Sequence, residues 1–246
     1  MRSPLFAYPP QAEFNRPVPK TKVYQHAGTF RRIRDAFVRE VDQIVWKYKL
    51  APETTNLPHA ATVPEIEILS VALRTPTASE AVLRTIDKAI PLPVIFELSF
   101  QGQVKSTAAY KRPSDADPSK WVVDAYFESP WLPANHPRDP LPIALDLAGL
   151  YEQLLLRLLP IAPRRGELLR SLVERANQIR VKEIERDQLT IRLHQEIQFN
   201  RKVDLNRQLR TLDQELKRLK DANCETNAEE ATTPGTYTTR TATWKR

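Results

Sequence analysis

The feature that most constrains this chain is residues 167–221, a stretch that contains neither glycine nor proline. Arginine, glutamate, glutamine and leucine dominate it, and all four are good helix formers. We therefore predict a single long helix, about 80 Å from end to end at 1.5 Å per residue. A charged helix of this length extends past the domain before it, so we expect it to contact a partner.

The last turns of this stretch carry a regular leucine repeat. Its members are separated by four, three, four and three positions: Leu205, Leu209, Leu212, Leu216 and Leu219. This spacing is typical of a coiled-coil seam, and it predicts an interface with a protein partner or a second copy of the chain.

The middle of the stretch fits that seam poorly. Polar residues take the core positions there, namely Gln188, Gln195, Gln198 and Lys202. Two interpretations remain open. The seam changes face, or a second apolar set contacts the globular domain or a partner: Leu189, Leu193, Ile197, Phe199 and Val203.

Residues 29–160 are predicted to form an α+β domain. Alternating apolar residues indicate strands near 64–73, 92–100, 103–111 and 120–128, and the pair Gln101-Gly102 favours a hairpin between the second and third. Helices are expected near 77–90 and 142–159. The prediction is a small, mainly antiparallel sheet of about four strands with helices on one face. A long, coiled-coil-like basic helix follows over 161–222.

Both ends are predicted to be irregular. Residues 1–28 are rich in proline, which favours an extended arm. Residues 223–246 are polar and rich in threonine, which is typical of a disordered tail.

A basic helix is predicted over residues 29–50. Its apolar positions recur at steps of three and four: Ile33, Phe37, Val41, Ile44 and Tyr48. Its cations are Arg31, Arg32, Arg34, Arg39, Lys47 and Lys49. They indicate either a surface that binds nucleic-acid phosphates or a solvated face with cation–π contacts to Trp46.

The net charge of +7 is unevenly distributed. Residues 1–50 carry ten basic and four acidic residues, residues 51–163 carry nine and thirteen, and residues 164–222 carry fifteen and ten. Basic ends around an acidic middle suit a protein that contacts nucleic acid. They equally suit basic helices that fold back on the acidic middle.

Several function classes find no support in the sequence. The five glycines never cluster, so a glycine-rich phosphate loop is excluded. One cysteine, Cys224, and four histidines without ligand spacing predict neither a disulfide framework nor a metal site. We expect no cofactor. No apolar run is long enough for a signal peptide or a membrane span, so we expect a cytoplasmic protein without a membrane partner.

The most enzyme-like place is the predicted hairpin. Asp87 precedes it, Glu97 lies on its first strand and Lys111 ends its second, as in many metal-dependent nucleases. The triplet that would supply a further carboxylate reads Ala109-Tyr110-Lys111, which lacks one. The alternative is that Glu97 and Lys111 are cross-strand charges. Lys111 and Arg112, beside Tyr110, are also candidates for stacking on a base and clamping a phosphate, although the nearby loop is acidic.

Several phrases together resemble a known family. They are Lys47-Tyr-Lys-Leu-Ala-Pro-Glu-Thr54, Ile86-Asp-Lys-Ala-Ile-Pro91, Ala109-Tyr-Lys-Arg-Pro113, Leu145-Asp-Leu with Leu150-Tyr-Glu-Gln153, and Gln198-Phe-Asn-Arg-Lys-Val203. The chain resembles the uncharacterised bacterial family numbered forty-three ninety-one among the domains of unknown function, over about residues 29–220. The resemblance implies no activity and no catalytic residues. It implies a context, since such proteins tend to be encoded beside helicases and DNA methyltransferases in loci resembling restriction or phage-defence systems.

The leading hypothesis is therefore a non-enzymatic accessory subunit of a DNA-processing assembly. Its partner would be a helicase or a DNA methyltransferase, held by the long helix. The alternatives are a metal-dependent nuclease with a degenerate carboxylate–lysine site, and a DNA-binding module that uses the basic helix 29–50.

Overall fold

Strands and helices alternate through residues 3–27, 31–117 and 120–221, which are the residues that this computed structural model describes. The strands are β1 (Phe6–Ala7), β2 (Glu13–Pro17), β3 (Val41–Leu50), β4 (Ile66–Leu73), β5 (Val94–Phe100), β6 (Gln103–Pro113), β7 (Trp121–Glu128), β8 (Leu132–Pro133) and β9 (Asp139–Pro140). The helices are α1 (Lys20–Ala27), α2 (Arg31–Glu40), α3 (Pro52–Thr55), α4 (Glu80–Ala89), α5 (Leu147–Leu156), α6 (Leu169–Gln195) and α7 (Phe199–Lys220).

The main sheet is mixed and has seven strands. Six lie in the order β2-β3-β4-β5-β6-β7, and β8 pairs with β6 beyond the end of β7. Among the described strands of this sheet, β4 and β5 are the one parallel pair, because α4 carries the chain back between them. The α+β class is confirmed, but the sheet is larger than the predicted four strands. Those four are β4 to β7, and Gln101-Gly102 turns between β5 and β6 with both φ angles positive, at 46° and 75°.

Apolar residues pack on both faces of the sheet. Ile68 and Ile95 face a core built with α5 and the first turns of α6. Leu69 and Phe96, one position further along each strand, face a second core built with α2 and α4. The expectation of helices on one face was therefore wrong, since a sheet with two apolar faces must bury both.

The predicted helix over 29–50 is also wrong beyond residue 40. Only α2 is helical, and Val41–Leu50 forms the strand β3 between β2 and β4. Two irregularities in its pairing with β4, between Val41 and Gln43 and between Trp46 and Tyr48, disturb the alternation of its side chains. Lys47 and Lys49 consequently lie on a strand and not on a basic helix.

The N-terminal segment forms regular structure. β2 pairs with β3, α1 packs on α4, and β1 pairs with β9. The prediction of an extended arm over residues 1–28 is therefore corrected, because this segment supplies one edge of the sheet. The predicted disordered tail, residues 223–246, lies outside the described residues.

The C-terminal region contains long helices, but the single uninterrupted helix is wrong. α6 ends at Gln195 and α7 begins at Phe199, and the two pack antiparallel. Lys182 pairs with Glu215 and Glu183 pairs with Lys220. Arg175, near the start of α6, donates to the carbonyl of Leu219, near the end of α7, as the antiparallel direction requires. Among the described residues, no helix is both long and apolar enough to cross a membrane.

Candidate protein-interaction site

The paired helices form an arm, which we define as residues 179–220. Its apolar contacts are made by Ile179, Leu189, Leu212 and Leu216, which are buried, with Leu205, Leu209, Leu219 and Ile161 packed around them. The five leucines predicted as a partner interface thus face α6 of the same chain. This corrects the interpretation of Leu205, Leu209, Leu212, Leu216 and Leu219 as a surface free to bind a partner.

Two arginines fasten the base of the arm. Arg175 of α6 donates to the carbonyl of Leu219 at 2.7 Å, and Arg164 donates to the carbonyl of Arg218 at 2.8 Å. Both carbonyls lie at the C-terminal end of α7, where unpaired carbonyl groups and the negative end of the helix dipole favour cations. The arginines therefore cap α7 and tie it to the start of α6.

A carboxylate holds this clamp in place. Glu167 accepts from Arg175 through both oxygens, at 2.8 Å each, and from the backbone N–H of Arg164 at 2.8 Å. The hydrogen bonds from Arg175 are the main cause that lowers the pKa of Glu167. The sequence reasoning missed these three residues. A signal was present in the cluster of Arg164, Arg165 and Glu167 after Pro163, where a charged turn precedes a helix.

The far end of the arm turns without glycine or proline. Glu196 accepts from the backbone N–H groups of Ile197 and Gln198, at 2.9 Å each, at the point where α7 begins. These hydrogen bonds lower the pKa of Glu196. The carboxylate thereby replaces the helical hydrogen bonds that the turn gives up.

This turn presents apolar side chains to solvent. Ile197 is 92% exposed and Phe199 is 77% exposed, and Val203 on the next turn of α7 is also exposed. An open groove of about 770 Å³ lies beside them, with Arg192, Gln195, Arg201 and Gln208 among its lining residues. We call Ile197, Phe199 and Val203 the arm tip.

A second exposed apolar set lies along α6. Val181, Ile184 and Ile191 are each more than half exposed, and their spacing of three and seven places them on one side of the helix. Lys182 and Glu183, which pair with α7, lie on the opposite side. The sequence had singled out Ile197, Phe199 and Val203 as residues in need of a contact, whereas Leu189 from the same set is buried inside the arm.

The three residues of the nuclease hypothesis do not form one site. Glu97 lies opposite Ser106 in the β5–β6 ladder, and Lys111 is five residues further along β6. Side chains alternate between the two faces along a strand, so Lys111 lies on the face opposite to that of Ser106. Because Glu97 shares the face of Ser106, Glu97 and Lys111 lie on opposite faces of the sheet. Only Asp87 and Lys111 come together, with Lys111 Nζ 3.3 Å from Asp87 Oδ1.

Lys111 has no free donor for a substrate. Its ammonium group also donates to the carbonyls of Asp87, at 2.6 Å, and Ile90, and the side chain is almost fully buried. Asp87 also accepts from the hydroxyl of Tyr126. Burial raises the pKa of Asp87 and lowers the pKa of Lys111, while their mutual attraction opposes both shifts. The arrangement is that of a closed ion pair between α4 and the sheet.

On the opposite face of the sheet, both carboxylate oxygens of Glu97 accept hydrogen bonds. Arg138 donates to both of its oxygens, at 2.6 and 2.9 Å, and to the carbonyl of Phe6 at 2.9 Å. The pair therefore ties β1 and the loop after β8 to the centre of the sheet. Within residues 3–27, 31–117 and 120–221, no three histidines, cysteines or carboxylates gather at metal-binding distances.

One buried carboxyl is incompletely paired. Glu67 on β4 is 0% exposed, accepts from Nε1 of Trp46 at 2.5 Å and leaves its other oxygen without a hydrogen bond. Burial raises its pKa to about 8, an effect that the neighbouring Glu65 strengthens and that Trp46 and Lys49 oppose. Glu67 is thus mostly protonated at neutral pH.

The cations predicted to bind nucleic acid are distributed over three elements. Arg31, Arg32, Arg34 and Arg39 lie on α2, Lys47 and Lys49 on β3, and Lys111 and Arg112 on β6. Lys49 pairs with Glu65 at 3.0 Å, and Arg112 pairs with Asp115 at 3.3 Å. The four arginines of α2 are the largest group on one element, and all four are exposed.

The geometry defines an α+β domain with a two-helix arm whose tip is apolar and exposed. The chain belongs to the family described as Domain of unknown function (DUF4391), whose model matches residues 6–216. This confirms the family that the sequence resembles. No curated protein and no solved structure matches the chain.

Proposed function

We propose that this protein is a non-enzymatic interaction subunit whose arm tip inserts into an apolar pocket of a different protein. The observation that carries this proposal is the exposure of Ile197 and Phe199 at the end of a helical pair that is fastened at its base. Aromatic and large aliphatic side chains that enter a pocket dominate the energy of many interfaces.

The arm suits this role because its own core is complete. The leucine seam is packed within the arm, so the exposed tip is not needed for folding. A fastened helix pair also loses little conformational entropy when it binds, which increases affinity. Val181, Ile184 and Ile191 are further exposed apolar residues along α6, and they favour a partner with an elongated groove.

A second copy of the chain is a less suitable binding partner for the arm tip than a different protein. A tip-to-tip contact would bury mainly Ile197 and Phe199, and a large side chain buries at most about 150–250 Å². Stable interfaces exceed roughly 1,000 Å² in total. A concave surface on another protein supplies the missing area. The resemblance to the family favours a helicase or a DNA methyltransferase as this other protein, and the assembly would then be one that processes DNA.

The test is co-purification of the tagged chain with the proteins encoded next to it, among which we expect a helicase or a DNA methyltransferase. We expect the Ile197→Asp/Phe199→Asp variant to weaken the complex by at least about 30-fold, the factor that corresponds to the loss of a hot spot of 2 kcal/mol. The matched control is Gln178→Asp/Gln214→Asp, which adds the same charge to exposed positions nearer the base of the arm.

Light scattering on the purified protein distinguishes the other outcomes. We expect the molar mass of a monomer for the purified protein by itself, and that of a complex of defined stoichiometry when the partner is added. A stable dimer that the tip variant dissociates would contradict the proposal, as would a complex that the tip and control variants weaken equally.

A further inference from the structure

The outer face of α2 is strongly basic. Its inner face is formed by Ala36, Phe37 and Glu40, which are buried. Its exposed positions carry Arg31, Arg32, Arg34 and Arg39, against a single exposed acid, Asp35. Including α1, residues 20–40 contain six basic and two acidic residues, and one of the two acids is the buried Glu40.

Among the described residues, the arginines of this face have few acidic partners. Arg39 pairs with Glu40 at 2.8 Å, and Arg34 lies over the ring of Tyr24 at 5.8 Å. Glu40 also accepts from the N–H of Ser79 at 2.7 Å, so its charge is shared with the start of α4. Burial opposes the ionisation of Glu40, but these hydrogen bonds outweigh it and lower its pKa.

The position of the charges is electrostatically unfavourable for the isolated chain. The first turns of α1 and α2 contain no acidic residue, and α2 begins with Arg31 and Arg32. Cations at the N-terminal end of a helix are repelled by the positive end of its dipole. An external polyanion would relieve this repulsion along the whole helix.

We propose that the outer face of α2 binds the phosphate backbone of double-stranded DNA, independently of the arm tip. α2 is about 15 Å long, a distance over which each strand of B-DNA presents about four phosphates. Arginine suits phosphate because its planar group donates two parallel hydrogen bonds. The only large apolar residue exposed on α2 is Val38, so this face offers no aromatic ring for stacking on bases. Such a face does not suit a single strand, whose unpaired bases stack on aromatic rings. Contacts to phosphates carry no sequence information, so binding of the duplex through them is independent of sequence.

The nucleic-acid surface thus differs from the one predicted from the sequence. It keeps Arg31, Arg32, Arg34 and Arg39 and excludes Lys47, Lys49, Lys111 and Arg112, which lie on strands. An acidic protein is the competing occupant of a basic face, and the experiment separates the two.

The experiment is fluorescence anisotropy with a labelled duplex of about 20 base pairs over a series of salt concentrations. We expect the logarithm of the affinity to fall with the logarithm of salt concentration with a slope of about −3 to −4, and two unrelated sequences to bind equally. The Arg31→Gln/Arg32→Gln/Arg34→Gln variant should bind at least about 10-fold more weakly, with a slope smaller by about three.

Three controls make the result decisive. The Arg180→Gln/Arg207→Gln/Arg210→Gln variant removes the same charge from exposed positions of the arm and should bind like the wild type. The Ile197→Asp/Phe199→Asp variant should also retain DNA binding, which separates this inference from the proposed function. Absent or salt-insensitive binding would overturn the inference. So would equal weakening by both arginine variants, or displacement of the duplex by polyglutamate at an equal charge concentration.

Discussion

Charged side chains inside this domain are held by directional partners. Glu97 receives both donors of Arg138, and Asp87 receives Lys111 and Tyr126. Such pairs offset the cost of removing a charge from water only when their remaining hydrogen bonds are also made. Each of these pairs meets that condition, which is why they act as fastenings of the fold and offer no group for chemistry.

Glu67 differs from these pairs in a way that predicts a pH dependence. Its pKa is about 8 in the folded protein and 4.5 in the reference state. A carboxyl whose folded pKa is raised stabilises the fold fully below the unfolded pKa, and this contribution is lost as pH rises towards the folded pKa. The free energy of unfolding should therefore fall between about pH 4.5 and pH 8 because of this residue.

We expect Glu67→Gln to remove that decline. The amide keeps an oxygen for Trp46 but cannot ionise, so the variant should be more stable than the wild type at pH 8 by about 2–4 kcal/mol. Urea unfolding at several pH values measures the difference. Glu53→Gln, an exposed position beside the same Lys49, is the matched control and should leave the pH profile unchanged. If Glu67→Gln showed the same dependence of unfolding free energy on pH as the wild type, the carboxyl of Glu67 would be ionised in the folded protein at neutral pH.

At the scale of elements, the sequence predicted β4 to β7 and α5 because their patterns are regular. β3 was misassigned for a physical reason. The irregularities near Gln43 and Lys47 move its side chains between faces, so Val41, Ile44 and Trp46 contact one core while Tyr48 and Leu50 contact the other. A strand with two such shifts shows apolar spacings of three and four, which imitate a helix.

The turn between α6 and α7 could not be predicted from breakers, because it contains none. One long-range effect and one local effect select it. Packing the leucine seam against Ile179 and Leu189 buries apolar surface that a straight helix would leave in water. Glu196 then satisfies the N–H groups released at the turn. The packing of the seam is not visible in a local pattern, and a single glutamate in a charged stretch does not by itself indicate a turn. The exposed tip follows from both effects.

We expect the clamp at the base of the arm to contribute to the stability of α6 and α7. Arg175→Met removes both hydrogen bonds to Glu167 and the cap on Leu219, and it leaves Glu167 without its main partner. Removing one partner of a nearly buried pair typically costs several kcal/mol, and we expect a loss of about 2–4 kcal/mol. Hydrogen exchange should accelerate across α7 and at the start of α6.

The comparison for this variant is Arg170→Met on the same helix. Arg170 pairs with Asp115 and Glu174 at the surface, and surface pairs contribute little. Its exchange profile should match that of the wild type. Equal protection of α7 in both variants would show that the leucine seam alone holds the arm.

At the scale of the whole molecule, two surfaces of different chemistry lie on different parts of the chain. The basic face belongs to α2, which packs on α4 and the sheet. The apolar tip belongs to the arm, in which the Lys182–Glu215 ion pair and the buried leucines join α6 to α7. If both proposals hold, this separation would let one chain bind DNA and a protein at the same time, and each surface could be removed without the other.

Shortening the arm tests that separation. Deleting residues 183–214 and joining Lys182 to Glu215 through a linker of about four residues keeps the clamp, Leu216 and Leu219. Because the two sheet cores do not include the deleted residues, the domain should still unfold cooperatively, with a Tm within about 5 °C of the wild type. The shortened protein should bind duplex DNA with wild-type affinity and fail to co-purify with its protein partner. Loss of the cooperative transition would show that the arm is part of the folding unit, and loss of DNA binding would place the DNA contact on the arm.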